Sequence, residues 1–217
     1  MRVVGSVQAT SIAIIGGLVL ATAAPVAASM PQLPDCLGEN VIMGTEGPDD
    51  LTGTADVDVI CALGGDDRIV AGTGDVVYAG DGNDTIILAS GGVWIARGDD
   101  GNDVIRGSNG RDRMYGGPGD DVIQGLRGND YIDGGEGRNR LIGGLGNDTI
   151  SAESGVNIVR GGAGADSIAA ASNPRRQQLF GDGGNDAIVG GNGPDLLSGG
   201  PGKDKLIGNG GDDRLVG

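Results

Sequence analysis

A nine-residue period runs through almost the whole chain and constrains its fold more than any other feature. The unit at 143–151 reads GGLGNDTIS, and the consensus is G-G-x-G-x-D-x-U-x, where U is a large apolar residue. Nineteen such units start between residues 44 and 208; the unit at 71 is one residue short, Arg97 is an extra residue, and the unit at 170 is two residues too long. A repeat of this length at fixed spacing predicts a solenoid, in which each unit contacts only its neighbours.

The eighth position of the unit carries a large apolar residue throughout, including Leu51, Tyr78, Ile95 and Leu215. A period of nine does not fit the 3.6-residue period of a helix, but it suits a very short strand with one side chain turned inward. Glycines at the first, second and fourth positions permit positive φ and tight turns. Each unit is therefore predicted to be a turn followed by a short strand, and stacked units form a parallel coil around a thin apolar spine.

The composition excludes several classes of function. The formal net charge is −15, there is no histidine, and only five of 217 residues are aromatic. A nucleic-acid partner requires a basic face, and a His-ligated zinc or haem site requires histidine. The negative charge therefore predicts no nucleic-acid partner. Because the chain has neither a histidine base nor a serine nucleophile motif, we also expect no enzyme activity.

The first 29 residues differ from the rest. Arg2 is their only charge, an apolar run spans 12–20, and small residues fill 21–29. This order is typical of a secretory signal peptide, cleaved after Ala28 or Ser29. An uncleaved membrane anchor is the alternative, although the apolar run is short for a span. We expect residues 1–29 to be removed, 30–43 to form an N-terminal arm or cap, and 44–217 to form the repeat domain of a secreted, extracellular bacterial protein without a membrane span in its mature chain.

The chain has two cysteines, Cys36 and Cys61. In an exported protein two cysteines usually pair, and two free thiols are the alternative. A disulfide would tie the N-terminal arm to the second repeat.

The units resemble the hemolysin-type calcium-binding nonapeptide, the RTX repeat. The resemblance covers residues 44–216. It implies an all-β fold, a right-handed parallel β-roll (a β-solenoid) of about 19 units with two units per turn. It also implies that Ca²⁺ lies between turns on the same side of the roll, bound by sixth-position Asp carboxylates and by backbone carbonyls of the glycine turns. Many members carry an uncleaved C-terminal export signal, and the N-terminal segment here implies a different export route.

The sixth-position residues suit this metal. Ca²⁺ prefers six to eight oxygen ligands, and a chain without histidine disfavours softer metals. Asp is also a common turn residue, but its recurrence in one slot favours a metal role. The predicted ligands are Asp49, Asp58, Asp67, Asp84, Asp103, Asp112, Asp121, Asp130, Asp148, Asp166, Asp186, Asp195, Asp204 and Asp213.

The exceptions to the Asp slot are also informative. The sixth position is assigned to Val76, Val93, Asn139 and Asn157, and the unit at 170 has no recognisable slot residue. The exceptions form an early group and a late group along the chain. Within each group successive exceptions are two units apart, as expected if alternate units are neighbours in space. Pairing the Asp residues of units n and n+2 predicts about ten calcium ions.

These observations predict a secreted calcium-binding protein with a structural or scaffold role. Close rows of carboxylates repel one another, so we expect folding to require calcium. A calcium-dependent adhesion or recognition module is the alternative. It would contact a cell-surface or polysaccharide partner through a patch around Trp94 or a protruding loop at 173–178.

Overall fold

The computed structural model of the protein describes residues 36, 40–89, 94–152, 154–170 and 174–217, without the side chain of Trp94. The predicted signal peptide and most of the predicted N-terminal arm lie outside the described residues. The part of the chain that is described contains no helix long and apolar enough to cross a membrane.

Twenty short strands, joined by tight turns, make up the described chain. Every second strand belongs to sheet A: β1 (Val41–Met43), β3 (Val59–Gly64), β5 (Val76–Asp81), β7 (Trp94–Asp100), β9 (Asp112–Pro118), β11 (Tyr131–Glu136), β13 (Thr149–Ala152), β15 (Ser167–Ala170), β17 (Ala187–Val189) and β19 (Lys205–Ile207). The others belong to sheet B: β2 (Asp50–Thr52), β4 (Arg68–Ala71), β6 (Thr85–Leu88), β8 (Val104–Arg106), β10 (Val122–Arg127), β12 (Arg140–Leu145), β14 (Ile158–Ala163), β16 (Gln178–Gly183), β18 (Leu196–Ser198) and β20 (Arg214–Val216).

The two ten-stranded parallel sheets confirm the predicted β-solenoid with two units per coil. Strand order within each sheet is the order of alternate strands along the chain. In regular coils the paired residues are 18 apart, as for Ile123 and Leu141 between β10 and β12. Because two nine-residue units make one coil, equivalent positions of alternate units lie side by side.

The core is the thin spine that the period predicts. Eighth-position residues such as Ile60, Ile105 and Ile150 are almost completely buried between the sheets. The first position of the next unit also points inward, since it lies two residues further along the strand. Glycine or alanine fills it in every unit except the one at 88, where it is Leu88, and Ala62, Ala79 and Leu88 belong to the core.

The structure corrects the register of two irregular units. Val77 and not Tyr78 occupies the spine in β5, where it pairs with Ile60. Ala96 and not Ile95 occupies it in β7, where it pairs with Met114. A residue omitted from or added to a turn shifts the next strand by one, and the shift exchanges inward and outward positions.

The N-terminal end differs from the expected boundary. Strand β1 lies inside the segment predicted as an arm, and it pairs with β3, so the roll begins before residue 44. The described residues therefore form one more strand than the 19 predicted units. The predicted disulfide between Cys36 and Cys61 is confirmed, and it attaches the segment before β1 to β3.

The insertion near residue 173 is smaller than predicted. Asn173 lies outside the described residues, and residues 174–176 are exposed. Gln177 is completely buried, and Gln178 begins β16. The protruding part of the loop therefore ends before Gln177.

Candidate metal sites

The sixth-position residues form two rows, one at each edge of the roll. Row A lies at the start of the strands of sheet A, one residue before each strand or, in β7 and β9, at its first residue. It consists of Asn40, Asp58, Asp75, Trp94, Asp112, Asp130, Asp148, Asp166, Asp186 and Asp204. Row B precedes the strands of sheet B and consists of Asp49, Asp67, Asp84, Asp103, Asp121, Asn139, Asn157, Gln177, Asp195 and Asp213.

A hydrogen-bond ladder fixes the carboxylates in each row. The backbone N–H of Asp103 donates to Oδ1 of Asp121 over 2.9 Å, and that of Asp130 donates to Oδ1 of Asp148 over 2.8 Å. The same contact recurs between successive coils along most of both rows. In each of these contacts one carboxylate oxygen accepts a hydrogen bond from the preceding coil, and the second oxygen, Oδ2, is left for the residue's own turn.

Eight of these Oδ2 atoms are buried and have no hydrogen-bond partner within the described chain. They belong to Asp67, Asp84, Asp103, Asp121, Asp130, Asp148, Asp166 and Asp186. These residues are only 1 to 3% exposed, so bulk water does not reach their side chains. A buried carboxylate oxygen without a partner has a large desolvation cost, which a bound cation offsets.

Backbone carbonyl oxygens converge on the same points. A Cβ atom built on Gly143 would contact Oδ2 of Asp148 and would lie 2.5 Å from the carbonyl oxygen of Gly161 in the next coil. Gly125 has the same relation to Asp130 and to the carbonyl oxygen of Gly143. Carboxylate and carbonyl oxygens are the ligands that calcium prefers, so the donor set fits a calcium ion.

Side chains alone do not assemble a metal site. No three Asp, Glu or Cys side chains of the described residues converge on one point. A cation bound here would take much of its coordination from backbone oxygens, which requires the coils to be stacked.

The electrostatics of the rows favour a cation. Burial, together with the charge of neighbouring carboxylates such as Asp121 and Asp148, raises the pKa of Asp103 and Asp130 to about 7. Burial likewise raises the pKa of four more row residues to about 6, namely Asp67, Asp84, Asp121 and Asp166. At neutral pH it therefore costs free energy to keep these carboxylates ionised, and the positive charge of a bound cation would lower that cost.

The other six predicted ligands lie in different surroundings. In Asp49, Asp58, Asp112 and Asp195, Oδ2 accepts a backbone N–H from its own turn. Asp204 and Asp213 precede the last two strands and are half-buried, and their Oδ1 atoms continue the ladders.

The structure also corrects three of the exceptional positions. Asp75 and not Val76 occupies the row, because its Oδ1 accepts the N–H of Asp58. Trp94 and not Val93 lies beside Asp112. Gln177 occupies the slot in the unit at 170, and its Oε1 accepts the N–H of Asn157. A shift of one residue in the units of Asp75 and Trp94, and of two residues in the unit at 170, would have found all three from the sequence.

A second, exposed ladder runs along the fifth position and had no signal in the repeat consensus. The N–H of Asn83 donates to Oδ1 of Asp66, and the N–H of Asn102 donates to Oδ1 of Asn83. The hydrogen bonds from Asn83 lower the pKa of Asp66. This ladder fastens neighbouring turns together without a metal.

Comparison with known families agrees with this geometry. A family model for the RTX calcium-binding nonapeptide repeat, which comprises four copies, matches residues 37–69, 62–92, 97–132, 133–168 and 180–216. The chain belongs to the RTX calcium-binding repeat family. The RTX match begins before β1, and its breaks at 93–96 and 169–179 coincide with the irregular units around Trp94 and Gln177. No curated protein matches the chain.

Proposed function

We propose that this protein is exported, binds calcium ions in its turns and folds as it binds them, so that it serves as a rigid structural element outside the cell. The observation that carries the proposal is the set of buried carboxylate oxygens without hydrogen-bond partners. Six of the eight, all but those of Asp67 and Asp84, lie where a backbone carbonyl of the next coil supplies a further oxygen ligand. The proposal assigns the protein no catalytic step.

Calcium binding and folding are linked because the ligands exist together only in the stacked coils. Neighbouring coils lie about 4.8 Å apart, so successive carboxylates in a row repel one another when no cation is bound. A ligand that binds only the folded state stabilises it, in proportion to the logarithm of the free ligand concentration.

The test compares the metal-stripped protein with the calcium-loaded protein. Far-ultraviolet circular dichroism should show a largely disordered chain without calcium and a strong strand signal with it, while equilibrium dialysis counts the bound ions. Magnesium at the same concentration is the control, since it prefers rigid octahedral sites with several waters. A full strand signal in the metal-stripped protein, or no calcium uptake, would refute the proposal.

Export has its own test, because residues 1–29 lie outside the described chain. Mass spectrometry of protein recovered from the culture medium should give a chain that starts at Ser29 or Met30. A secreted protein that retains Arg2 would contradict cleavage.

A calcium-dependent adhesion module is the second candidate function, and the outer face of sheet A favours it. The guanidinium of Arg97 lies 5.9 Å from the ring centre of Tyr78 and 5.0 Å from that of Tyr115. Stacked guanidinium and phenol groups are suited to the carboxylates and rings of an acidic polysaccharide. Arg97→Ala should abolish calcium-dependent retention on polygalacturonate, whereas Arg214→Ala on the exposed end of sheet B should not.

A further inference from the structure

The turns of the roll are of two kinds, which the repeat consensus does not separate. In an open turn, Oδ2 of the sixth-position Asp is buried and has no hydrogen-bond partner within the described chain. In a closed turn, that oxygen accepts a backbone N–H from its own turn, as Oδ2 of Asp112 does from Ser108 over 2.7 Å. A closed turn therefore satisfies its carboxylate without a metal ion.

The backbone φ at the second position separates the two kinds. In all eight open turns the residue at this position has a positive φ, between 67 and 119°, and the residues are Leu63, Gly80, Asp99, Gly117, Leu126, Gly144, Gly162 and Asp182. No N–H donor of the five closed turns has a positive φ, and these donors are Thr45, Thr54, Gly72, Ser108 and Gly191. Gly200 and Asn209, in the turns of Asp204 and Asp213, also have a positive φ, but no following coil supplies carbonyl oxygens there, so these two terminal turns are not counted as open. The rotation at the second position decides whether its N–H faces the carboxylate.

Threonine favours the closed form for two physical reasons, and serine shares the second of them. A β-branched residue such as Thr45 or Thr54 strongly disfavours positive φ. The hydroxyl group adds a second bond to the carboxylate, from Thr54 Oγ1 to Oδ2 of Asp58 over 2.8 Å and from Ser108 Oγ to Oδ1 of Asp112 over 3.1 Å.

Amides close three further turns of row B. The side-chain nitrogen of Asn139 donates to the carbonyl oxygen of Gly135 over 3.3 Å, and that of Asn157 donates to Ser154 over 3.0 Å. The nitrogen of Gln177 reaches the carbonyl oxygen of Gly155 in the preceding coil over 2.9 Å. An amide N–H₂ placed in the turn occupies carbonyl oxygens and repels a cation, so these turns are metal-independent as well.

The open turns form two uninterrupted groups at opposite edges of the roll. Array 1 lies in row B, before β4, β6, β8 and β10, and consists of Asp67, Asp84, Asp103 and Asp121. Array 2 lies in row A, before β11, β13, β15 and β17, and consists of Asp130, Asp148, Asp166 and Asp186. Array 2 begins where array 1 ends, and opposite each array stand closed turns, amides or Trp94.

We propose that the protein binds eight calcium ions as two separate arrays of four, which load independently at opposite edges of the two halves of the roll. Within an array the carboxylates are joined by direct hydrogen bonds, such as that from Asp84 N–H to Oδ1 of Asp103. No such bond joins one array to the other among the described residues, since the two rows adjoin different sheets. This inference rests on the proposed calcium binding and specifies which turns carry it.

The experiment counts bound calcium by equilibrium dialysis in matched Asp→Asn variants of the full chain. The wild-type protein should bind eight ions. Asp103→Asn should lose ions from array 1 only and Asp148→Asn from array 2 only, so each retains at least four ions with half-saturation within about twofold of wild type. Asp112→Asn removes the same charge from a closed turn and should still bind eight.

Some outcomes would overturn the two-array arrangement while leaving calcium binding intact. These are a wild-type count near ten, a loss of ions in Asp112→Asn, or fewer than four ions in either single variant. A wild-type protein that binds no calcium would refute the proposed function itself.

A gain of binding tests the role of the second position directly. Ser108→Gly removes the hydroxyl group and allows positive φ, which frees Oδ2 of Asp112 beside array 2. This variant should bind one more ion than wild type. An unchanged count would contradict selection by the second position.

Discussion

At the scale of single residues, the sixth-position Asp has two separate tasks. Its Oδ1 accepts the backbone N–H of the preceding coil, as Oδ1 of Asp166 does from Asp148 over 2.8 Å. Its Oδ2 remains for a metal ion or for a closed turn. An asparagine still accepts this backbone N–H through its Oδ1, but it has no second oxygen for a metal ion. This explains why Asn139 and Asn157 continue the ladder.

The raised pKa values predict an acid-stabilised metal-free roll. An Asp in an unfolded chain has a pKa of about 3.9, whereas burial raises the pKa of Asp103 and Asp130 to about 7 in the folded chain. Folding therefore takes up protons, and this stabilisation is complete below about pH 4 and is lost as the pH rises through about 7.

Circular dichroism of metal-stripped protein between pH 4 and 8 measures this effect. The strand signal should be greater at pH 4.5 than at pH 8, and calcium should remove most of the difference by restoring structure at pH 8. A metal-free signal that is independent of pH would contradict it.

Gly143 is expected to tolerate no side chain. It does not have a positive φ, but a Cβ atom would collide with Oδ2 of Asp148 and with the carbonyl oxygen of Gly161. Gly143→Ala should therefore weaken calcium binding in array 2 by tenfold or more in half-saturation. Gly183→Ala is the matched control, because its nearest contact would be 3.8 Å away, and calcium titration should show little change.

At the scale of single strands, stability depends on very few side chains. A strand such as β11 contributes one large residue, Ile132, and a glycine to the interior. Its outward residues cover the sheet from outside, and the hydrogen-bonded ladders link it to its neighbours. Because the spine is one residue wide, no second layer compensates for a lost side chain.

Ile132→Ala should lower the unfolding free energy of the calcium-loaded protein by about 2–5 kcal/mol, since it removes a fully buried side chain. Val104→Ala is the control: its side chain is 44% exposed, and the change should stay within about 0.5 kcal/mol. Urea denaturation in saturating calcium measures both. Equal effects of the two substitutions would contradict the assignment of inward and outward positions.

The disulfide should stabilise the first strands of the roll. Cys36 and Cys61 are 25 residues apart, and a loop of this size contributes about 3 kcal/mol when closed, in the chain-entropy model. The double variant Cys36→Ser, Cys61→Ser should lose about that much in urea denaturation. Reducing agent should shift the wild-type curve to the same place and leave the variant unchanged.

At the scale of the whole molecule, calcium balances the charge of the chain. Eight dications carry about as much positive charge as the formal net charge of −15 is negative. The two-array arrangement would spread this charge over both edges, one array in each half of the roll.

Calcium should therefore compact the whole chain. An unfolded chain of this length has a radius of gyration of about 50 Å, and that of a stacked roll is less than roughly half of this value. Small-angle X-ray scattering should show this decrease on addition of calcium. A radius that does not change would contradict folding on calcium.

The sequence alone was sufficient for the coil, the spine and the slot, because each unit repeats one local pattern of glycine, Asp and apolar residues. Its register failed only where a turn was shorter or longer, at Asp75, Ala96 and Gln177. There the pairing of strands about 18 residues apart decides which side chain points inward.

Only the tertiary structure separated open turns from closed ones. Asp103 and Asp112 occupy the same slot in the same consensus, yet their Oδ2 atoms have different surroundings. The difference arises from backbone rotation at the second position, at Asp99 and Ser108, and from contacts between neighbouring coils. A nonapeptide pattern records which residues recur, whereas the direction of an N–H group is settled only when the coils stack.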